Sequence, residues 1–271
     1  MKDYLPTLVR AAVEAGNAAL QVYRQDFSVI EKSDHSPLTL ADTRSHAIIE
    51  QALAPTAIPF LSEEGADVAY PKRREWKRLW IVDPLDGTKE FVKRNGEFTI
   101  NIALVEDQAP VLGVIYEPVT SRLYYGIQGE GAWRCLLSDP ESIAAASMEQ
   151  VMAGAEAISA HADPGRPCTI VGSRSHLTPQ VEQFVEEKKR ACGNVEFVSA
   201  GSSLKFCRIA EGVADIYPRF GPTMEWDTAA GHVIARAAGA RVYRMDTGGA
   251  LLYNKENLQN PDFMVTNGRG Q

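Results

Sequence analysis

The 271-residue chain has few cysteines and no long apolar run. Its four cysteines form no C-x-x-C pair and no zinc-finger spacing, which favours reduced thiols in a reducing compartment. No stretch approaches the about 18 apolar residues that a transmembrane helix needs. The first ten residues also lack the apolar core of a secretory signal. These absences predict a cytoplasmic protein without a transmembrane segment.

The sequence also lacks an excess of basic residues. It has 28 lysines and arginines against 35 acids, a formal net charge of −7. Nucleic-acid binding needs a basic face, so this balance predicts no nucleic-acid partner and disfavours docking on an anionic membrane. A small anionic ligand stays compatible, because a local site can oppose the global sign. The 45% apolar and 23% charged residues are typical of a globular protein and exclude a disordered or fibrous chain.

The pattern of the first half, residues 1–137, indicates an α+β unit. Apolar residues at 3.6-residue spacing predict helices over 5–23 and 40–53. Two short strands that end in acids are predicted over 59–63 and 78–83, followed by a turn. β-branched and aromatic runs then predict an antiparallel meander, with strands over 98–105, 111–116 and 122–126.

The second half, residues 138–271, alternates strands and helices and indicates an α/β unit. Its small and polar beginning, 138–150, is predicted to be a loop. Strands are predicted over 169–171, 195–198, 214–217 and 241–243. Helices are predicted over 178–191, 202–212 and 228–238. The length agrees with one large domain or two smaller ones, and a boundary near residue 137 is our prediction.

Acidic side chains close both of the short strands before the meander. Glu63 ends the first strand, Asp83 ends the second, and Asp86 follows across the predicted turn. Acids at strand ends face the rim of a sheet, where sites form. Converging carboxylates repel each other unless a cation lies between them, and Mg²⁺ prefers such oxygen ligands. An acid that closes an apolar strand is costly without a partner, so we interpret Asp83 and Asp86 as ligands and Glu64 as a solvated loop acid.

Several other residues allow both a structural and a functional interpretation. Backbone N–H groups at Gly87 and Thr88 could hold a phosphate oxygen, although a plain turn with a helix cap fits their spacing equally well. Thr39 and Asp42 fit a capping box. Asp227 precedes a predicted helix and fits an N-cap.

Basic and small residues of the second half also allow both a structural and a functional interpretation. Arg219, in P-R-F-G-P, could pair with a phosphate but as an isolated residue fits a surface charge better. Ser202, Ser203 and Lys205 stand at a predicted helix start, where they could cradle an anion.

Two motifs in this order resemble a known enzyme superfamily. W-I-V-D-P-L-D-G-T at 80–88 and W-D-T-A-A-G at 226–231, with an upstream Glu-Glu pair, resemble the lithium-sensitive, Mg²⁺-dependent phosphatases related to inositol monophosphatase and fructose-1,6-bisphosphatase. D-G-T-K-E-F at 86–91, G-S-S-L-K-F-C at 201–207 and Y-P-R-F-G-P-T at 217–223 are similar to the CysQ-type 3′(2′),5′-bisphosphate nucleotidase branch. The resemblance covers nearly the whole chain and is weakest over 136–167.

The resemblance implies a fold and a metal site. The fold would be an α/β protein, a layered αβαβα sandwich with an α+β N-terminal half. The site would hold two or three Mg²⁺ ions on side chains and one backbone carbonyl, from Glu63, Asp83, Leu85, Asp86 and Asp227. Asp42 and Thr88 would orient and deprotonate the attacking water, a role that overrides the capping interpretation of Asp42 but can coexist with it.

The resemblance also implies a reaction. The chain would hydrolyse the 3′-phosphate of adenosine 3′,5′-bisphosphate to AMP and phosphate, with the sulfated analogue as a second substrate in sulfur metabolism. It leaves open a peripheral attachment to the inner membrane and gives no oligomeric state. Contacts to the nucleotide would come from Gly87, Thr88, Ser202, Ser203, Lys205, Arg219 and Asp227.

Two other functions compete with this one. An inositol monophosphatase or another sugar-phosphate phosphatase would use the same metal site. A phosphate sensor without turnover would keep the fold but lose a ligand acid, and all the expected acids are present.

Overall fold

A computed structural model describes residues 1–31, 37–65, 67–140, 151, 154–161, 165–173 and 178–269. The predicted loop over 138–150 lies largely outside these residues. Within them, no helix combines the length and hydrophobicity needed to cross a membrane.

The first half begins with two long helices that pack against each other, and it also contains short helices. They are α1 (Leu5–Tyr23), α2 (Leu40–Leu53) and the short α3 (Tyr70–Arg73) and α4 (Thr88–Val92). Between α1 and α2, strands β1 (Val29–Glu31) and β2 (Pro37–Thr39) pair antiparallel. The predicted bounds of the two long helices agree with α1 and α2.

A seven-stranded sheet follows the order β3-β4-β5-β6-β7-β8-β9. The strands are β3 (Phe60–Ser62), β4 (Arg78–Asp86), β5 (Thr99–Glu106), β6 (Ala109–Glu117), β7 (Arg122–Ile127), β8 (Gly131–Leu136) and β9 (Glu156–Ile158). Strands β5 to β7 form the predicted antiparallel meander, β4 and β8 extend it at either side, and β3 runs parallel to β4. The edge strand β9 comes from beyond residue 137, so chain from both halves builds this sheet.

The second half forms a five-stranded sheet in the order β11-β10-β12-β14-β13. Its strands are β10 (Cys168–Gly172), β11 (Val195–Ser199), β12 (Ile216–Arg219), β13 (Arg241–Arg244) and β14 (Phe263–Thr266). Its helices are α5 (Pro179–Cys192), α6 (Leu204–Ala210) and α7 (Glu225–Ala237).

Both faces of the large sheet are buried, and this arranges the layers. In β5, Ile100 and Ile102 pack in the core with Leu8 of α1, whereas Ala103 packs in the core with Ile234 of α7. The core that contains Ala103 and Ile234 continues to one face of the five-stranded sheet. The other face of that sheet packs against α5. The order α1/α2, sheet, α6/α7, sheet, α5 confirms the predicted αβαβα sandwich.

Two glycines let α7 lie close on the large sheet. A Cβ at Gly113 would lie 2.8 Å from the carbonyl oxygen of Ala230, and one at Gly126 would lie 2.7 Å from the Cα of Ile234. The backbone of α7 thus rests directly on β6 and β7. This close packing places the first turn of α7 at the edge of the cavity described below.

The structure corrects two local predictions. The predicted turn after Asp83 is instead a continuation of β4 to Asp86, with a shift of the strand register between these two residues. The turn comes at Gly87, which has φ +92°. Helix α7 begins at Glu225, so Asp227 is the third residue of the helix and not its N-cap, because the helix starts earlier than the apolar pattern indicates.

Candidate active site

A cavity of about 410 Å³ lies between the first and second halves of the chain. Residues of the β4–α4 connection line one side, and residues of α6, β12 and the start of α7 line the other. The lining includes Glu63, Asp83, Leu85, Asp86, Gly87, Thr88, Ser202, Lys205, Tyr217, Arg219 and Asp227. Most of the residues that sequence patterns single out therefore meet in one place.

Three acids converge at this cavity. Glu63, Asp83 and Asp227 each offer a carboxylate oxygen, and these oxygens lie within 4.8 Å of one another. The parallel pairing of β3 with β4 brings the first two acids to the same end of the sheet. The close approach of α7 to the sheet brings the third. Acids separated by more than 140 residues in the chain are thus assembled by tertiary structure.

Burial and mutual repulsion raise the pKa values of the acids. Burial, with the charges of Glu63, Asp86 and Asp227, holds the pKa of Asp83 well above its usual range. Burial and the Asp86 charge raise the pKa of Asp227 to about 8. Such acids are stabilised in the ionised form by a cation. The residues therefore fit a hard divalent cation with oxygen ligands.

Asp86 has neighbours of its own. Burial raises the pKa of Asp86 to about 6, a rise that the positive charge of Lys205 limits. The amide of Asn101 donates to Asp86 Oδ2 at 3.3 Å, and the hydroxyl of Ser203 donates to Asn101 Oδ1 at 2.8 Å. Burial in turn lowers the pKa of Lys205 to about 8. Asp86 is therefore oriented by groups from both halves of the chain.

Asp42 combines a structural and a site contact. Its Oδ2 accepts hydrogen bonds from the backbone N–H of Thr39 at 2.8 Å and from the Thr39 hydroxyl at 2.6 Å. Its Oδ1 accepts a hydrogen bond from the hydroxyl of Thr88 at 3.2 Å. The capping box is confirmed, and it leaves the second oxygen for Thr88. Burial raises the pKa of Asp42.

The turn after β4 fits closely against Ser202. The Ser202 hydroxyl lies 2.9 Å from the carbonyl oxygen of Asp86 and 2.7 Å from that of Glu97, and donates to both. A Cβ at Gly87 would come 2.1 Å from this hydroxyl oxygen. With its positive φ, this close approach requires glycine. The segment before α6 and the β4–α4 turn are thus in direct contact.

The predicted nucleotide contacts fall into two groups. Ser202, Lys205 and Arg219 line the cavity, whereas Ser203 is 2% exposed and its hydroxyl contacts Asn101 and Thr99. Lys205 donates to the carbonyl oxygens of Ala200 and Ser202, so its ammonium also holds the turn before α6.

Asn101 and Tyr217 are among the residues of the site that sequence patterns missed. The side chain of Asn101 supports Asp86, and Tyr217 lines the cavity beside Lys205. A lone amide in the apolar run I-N-I-A-L was a usable signal for Asn101. Tyr217 sits in a buried strand, where an aromatic residue is ordinary, so no local signal singled it out.

Comparison with known proteins agrees with this geometry. The model of the inositol monophosphatase family matches residues 1–268. The chain belongs to the inositol monophosphatase family. Enzymes of this family use divalent metals, in agreement with the acid cluster.

Several family members are similar over nearly their full length. The Salmonella typhimurium protein named 3′(2′),5′-bisphosphate nucleotidase CysQ is 44% identical over 97% of this chain and 99% of its own. The protein of the same name from Escherichia coli K12 is 42% identical over the same shares. The crystal structure of CysQ from Bacteroides thetaiotaomicron is 49% identical, with a TM-score of 0.87 over 98% of this chain and 97% of that one.

Proposed function

We propose that this chain hydrolyses the 3′-phosphate of adenosine 3′,5′-bisphosphate to AMP and phosphate, and that it also accepts the sulfated analogue. The observation that carries the proposal is the convergence of Glu63, Asp83 and Asp227 in one cavity that Thr88 also lines, with Asp42 hydrogen-bonded behind Thr88. The choice of a nucleotide is supported by the relatives named 3′(2′),5′-bisphosphate nucleotidase.

The acids supply the ligands for two or three Mg²⁺ ions. We assign this role to Glu63, Asp83, Asp86, Asp227 and the carbonyl of Leu85. Bound Mg²⁺ would lower the pKa of a water molecule and stabilise charge on phosphoryl oxygens. When all are ionised, these acids and Asp42 carry about five negative charges; two Mg²⁺ ions would return about four positive charges and three would return about six, so the loaded site would be near neutral or positive.

The Asp42–Thr88 pair is suited to orienting the attacking water. Because the Thr88 hydroxyl donates its proton to Asp42 Oδ1, its oxygen lone pairs are free to accept a hydrogen bond from water. Asp42 is 1% exposed and held by Thr39, so it cannot turn away from Thr88. The pair thus provides a fixed acceptor and a route for the proton of the water.

The substrate phosphates meet donors on both walls of the cavity. We assign the transferred phosphoryl group to the backbone N–H groups of Gly87 and Thr88, with Ser202 and Asp227 beside it. Lys205 and Arg219 provide positive charge for the rest of the nucleotide. We assign Ser203 to the support of Asn101, because its side chain is buried below the lining.

The metal requirement is tested with Asp83→Asn. Phosphate release from adenosine 3′,5′-bisphosphate with Mg²⁺ is measured for this variant, the wild type and the matched control Asp107→Asn. Asp107 is an exposed acid in the β5–β6 turn with φ +45°, which asparagine tolerates. We expect Asp83→Asn and EDTA to abolish activity, Li⁺ to inhibit it, and the control to be unchanged. Activity that survives both EDTA and Asp83→Asn contradicts the proposal.

A further inference from the structure

We propose that residues 253–260 clamp the first turn of α7 and so set the position of Asp227, with Glu225 as the central positioning residue. This inference rests on the metal role of Asp227 in the proposed function. The clamp segment, residues 253–260, contains no helix or strand and lies between β13 and β14. Neither the family motifs nor the cavity lining include Glu225.

Glu225 is a fully buried acid at the first position of α7. Its carboxylate accepts hydrogen bonds from the backbone N–H groups of Asn254 and Lys255, the latter at 2.9 Å. The ammonium of Lys255 lies 2.6 Å from Glu225 Oε1. One side of the helix start is therefore tied to the clamp segment by three donors, two residues before Asp227.

The other side of the same turn is held by amide and hydroxyl groups. The amide of Asn260 donates to the carbonyl oxygen of Met224 at 2.8 Å and to the hydroxyl of Thr228 at 3.1 Å. The hydroxyl of Tyr253 also donates to Thr228 Oγ1, at 3.2 Å. Asp227 thus lies between two residues, Met224 and Thr228, whose positions the clamp segment determines.

A buried arginine anchors the clamp segment to the first half of the chain. Arg73 is 3% exposed and donates to Asn254 Oδ1 at 3.1 Å and to the backbone carbonyls of Lys255 and Glu256. The amide of Asn254 returns a hydrogen bond to the carbonyl oxygen of Arg73 at 2.7 Å. The clamp therefore ties α7 to the half that supplies Glu63 and Asp83.

The chemistry of the network favours positioning over simple stabilisation. Buried ion pairs repay their desolvation only when every group is satisfied, and apolar residues of similar volume often stabilise a fold as well or better. Here the charges of Glu225, Lys255 and Arg73 instead hold backbone N–H and carbonyl groups at or beside the clamp segment. Groups that orient ligand-bearing residues in this way typically change metal affinity by about 10–100-fold when removed.

The test is direct binding of Mn²⁺, a probe for the Mg²⁺ site, to the purified full chain without substrate. Isothermal titration well below the unfolding temperature compares the wild type, Glu225→Gln and the matched control Glu256→Gln, whose side chain is exposed on the clamp segment. We expect Glu225→Gln to weaken Mn²⁺ binding about tenfold or more, and the control to bind as the wild type does. A merely structural role would lower the unfolding temperature and leave the isotherm unchanged, which overturns the inference.

A second variant keeps the test decisive if Glu225→Gln does not fold. Tyr253→Phe keeps the ring and removes the hydroxyl, which donates to Thr228 and also contacts His232 Nδ1 at 2.9 Å. We expect it to weaken Mn²⁺ binding about two- to threefold, and wild-type affinity in this variant overturns the clamp. The binding comparison uses no nucleotide, so a wild type that binds Mn²⁺ but hydrolyses no bisphosphate contradicts the proposed function alone.

Discussion

The starts of α2 and α7 use the same local arrangement with different support. In each helix an acid at the third position accepts the backbone N–H three residues earlier: Asp42 accepts from Thr39 at 2.8 Å and Asp227 from Met224 at 2.9 Å. One carboxylate oxygen is thereby held; Asp227 itself lines the cavity, whereas Asp42 accepts a hydrogen bond from Thr88, which lines it. An acid in the first turn thus caps its helix and serves the site with one side chain.

The two starts differ in where the remaining support comes from. In α2 the Thr39 hydroxyl completes the capping box within four residues. In α7 the side chain of Met224 offers no hydroxyl or carboxylate, and the turn is held by the clamp segment, about 30 residues away in the chain. The first arrangement is local and readable from sequence, whereas the second exists only in the folded chain.

The largest effect is expected from a substitution of Asp42, the acid at the start of α2. Asp42→Asn keeps an acceptor for the Thr39 N–H but removes the charge that would accept the proton of the water. We expect kcat to fall by about 10²–10⁴-fold, with Mn²⁺ affinity unchanged. Steady-state kinetics and Mn²⁺ titration measure both. If Asp42→Asn changes only thermal stability, Asp42 is a helix cap and nothing more.

A substitution of Asp227, at the start of α7, is expected to weaken metal binding. Asp227→Asn removes one of three converging carboxylates while asparagine can still accept the Met224 N–H. We expect Mn²⁺ affinity to fall by about tenfold or more, because a charged oxygen ligand is lost. Isothermal titration measures it. Equal Mn²⁺ affinity in Asp227→Asn and the wild type would contradict the ligand assignment and remove the distinction between the two helix starts.

The pH dependence of stability sharpens the comparison in the metal-free chain. The pKa of Asp227 is raised to about 8, so the folded chain binds more protons than the unfolded chain and stability falls as pH rises toward 8. Between about pH 6.5 and 7.5 Asp227 contributes about 1 kcal/mol to this fall, so Asp227→Asn should reduce it, while Asp83, whose pKa is also raised, contributes with the same sign. His232, with a pKa lowered to about 3, acts with the opposite sign, mainly below this window.

Urea unfolding at several pH values measures this dependence. Lys205, whose pKa is lowered to about 8, contributes mainly above the window, where rising pH favours the folded chain. Saturating Mg²⁺ should also suppress the fall, since it takes the place of the protons. A wild type whose metal-free stability rises from about pH 6.5 to 7.5 would contradict pKa values raised by burial and mutual repulsion at Asp83 and Asp227.

The smallest effect is expected from the local cap alone. Thr39→Ala removes the hydroxyl that accepts from Ala41 and donates to Asp42. We expect a loss of about 1 kcal/mol in unfolding free energy, with kcat lowered far less than in Asp42→Asn. Urea unfolding and steady-state kinetics measure the two quantities. A kcat loss as large as that of Asp42→Asn would place Thr39 in the catalytic machinery.

The sequence predicted elements whose signals are local. The bounds of α2 follow from Thr39, Asp42 and an apolar stripe, and the meander follows from three β-branched runs. The continuation of β4 through Pro84 was not predictable from turn-forming residues, because the register shift depends on the pairing with β5. Strands β9 and β14 are short, and pairing with neighbouring strands sets their positions.

The residues of the site also divide into those with a local sequence signal and those whose roles depend on distant residues. Asp83 and Asp86 were identifiable because acids that close an apolar strand need a partner. Glu225 and Asn101 gave weak signals, because their roles depend on Lys255 and Ser203, which are distant in the chain. The apolar pattern puts Asp227 before its helix. The helix begins earlier, at Glu225, because contacts from the clamp segment hold its first turn.

The most direct test of the account is a comparison of two substrates on the wild-type chain. The kcat/KM for phosphate release from adenosine 3′,5′-bisphosphate and from inositol 1-phosphate is measured with the same Mg²⁺ concentration, and ³¹P NMR identifies the product. The account predicts a clear preference for the nucleotide, with AMP that keeps its 5′-phosphate. Preference for inositol phosphate, or release of the 5′-phosphate, would contradict it.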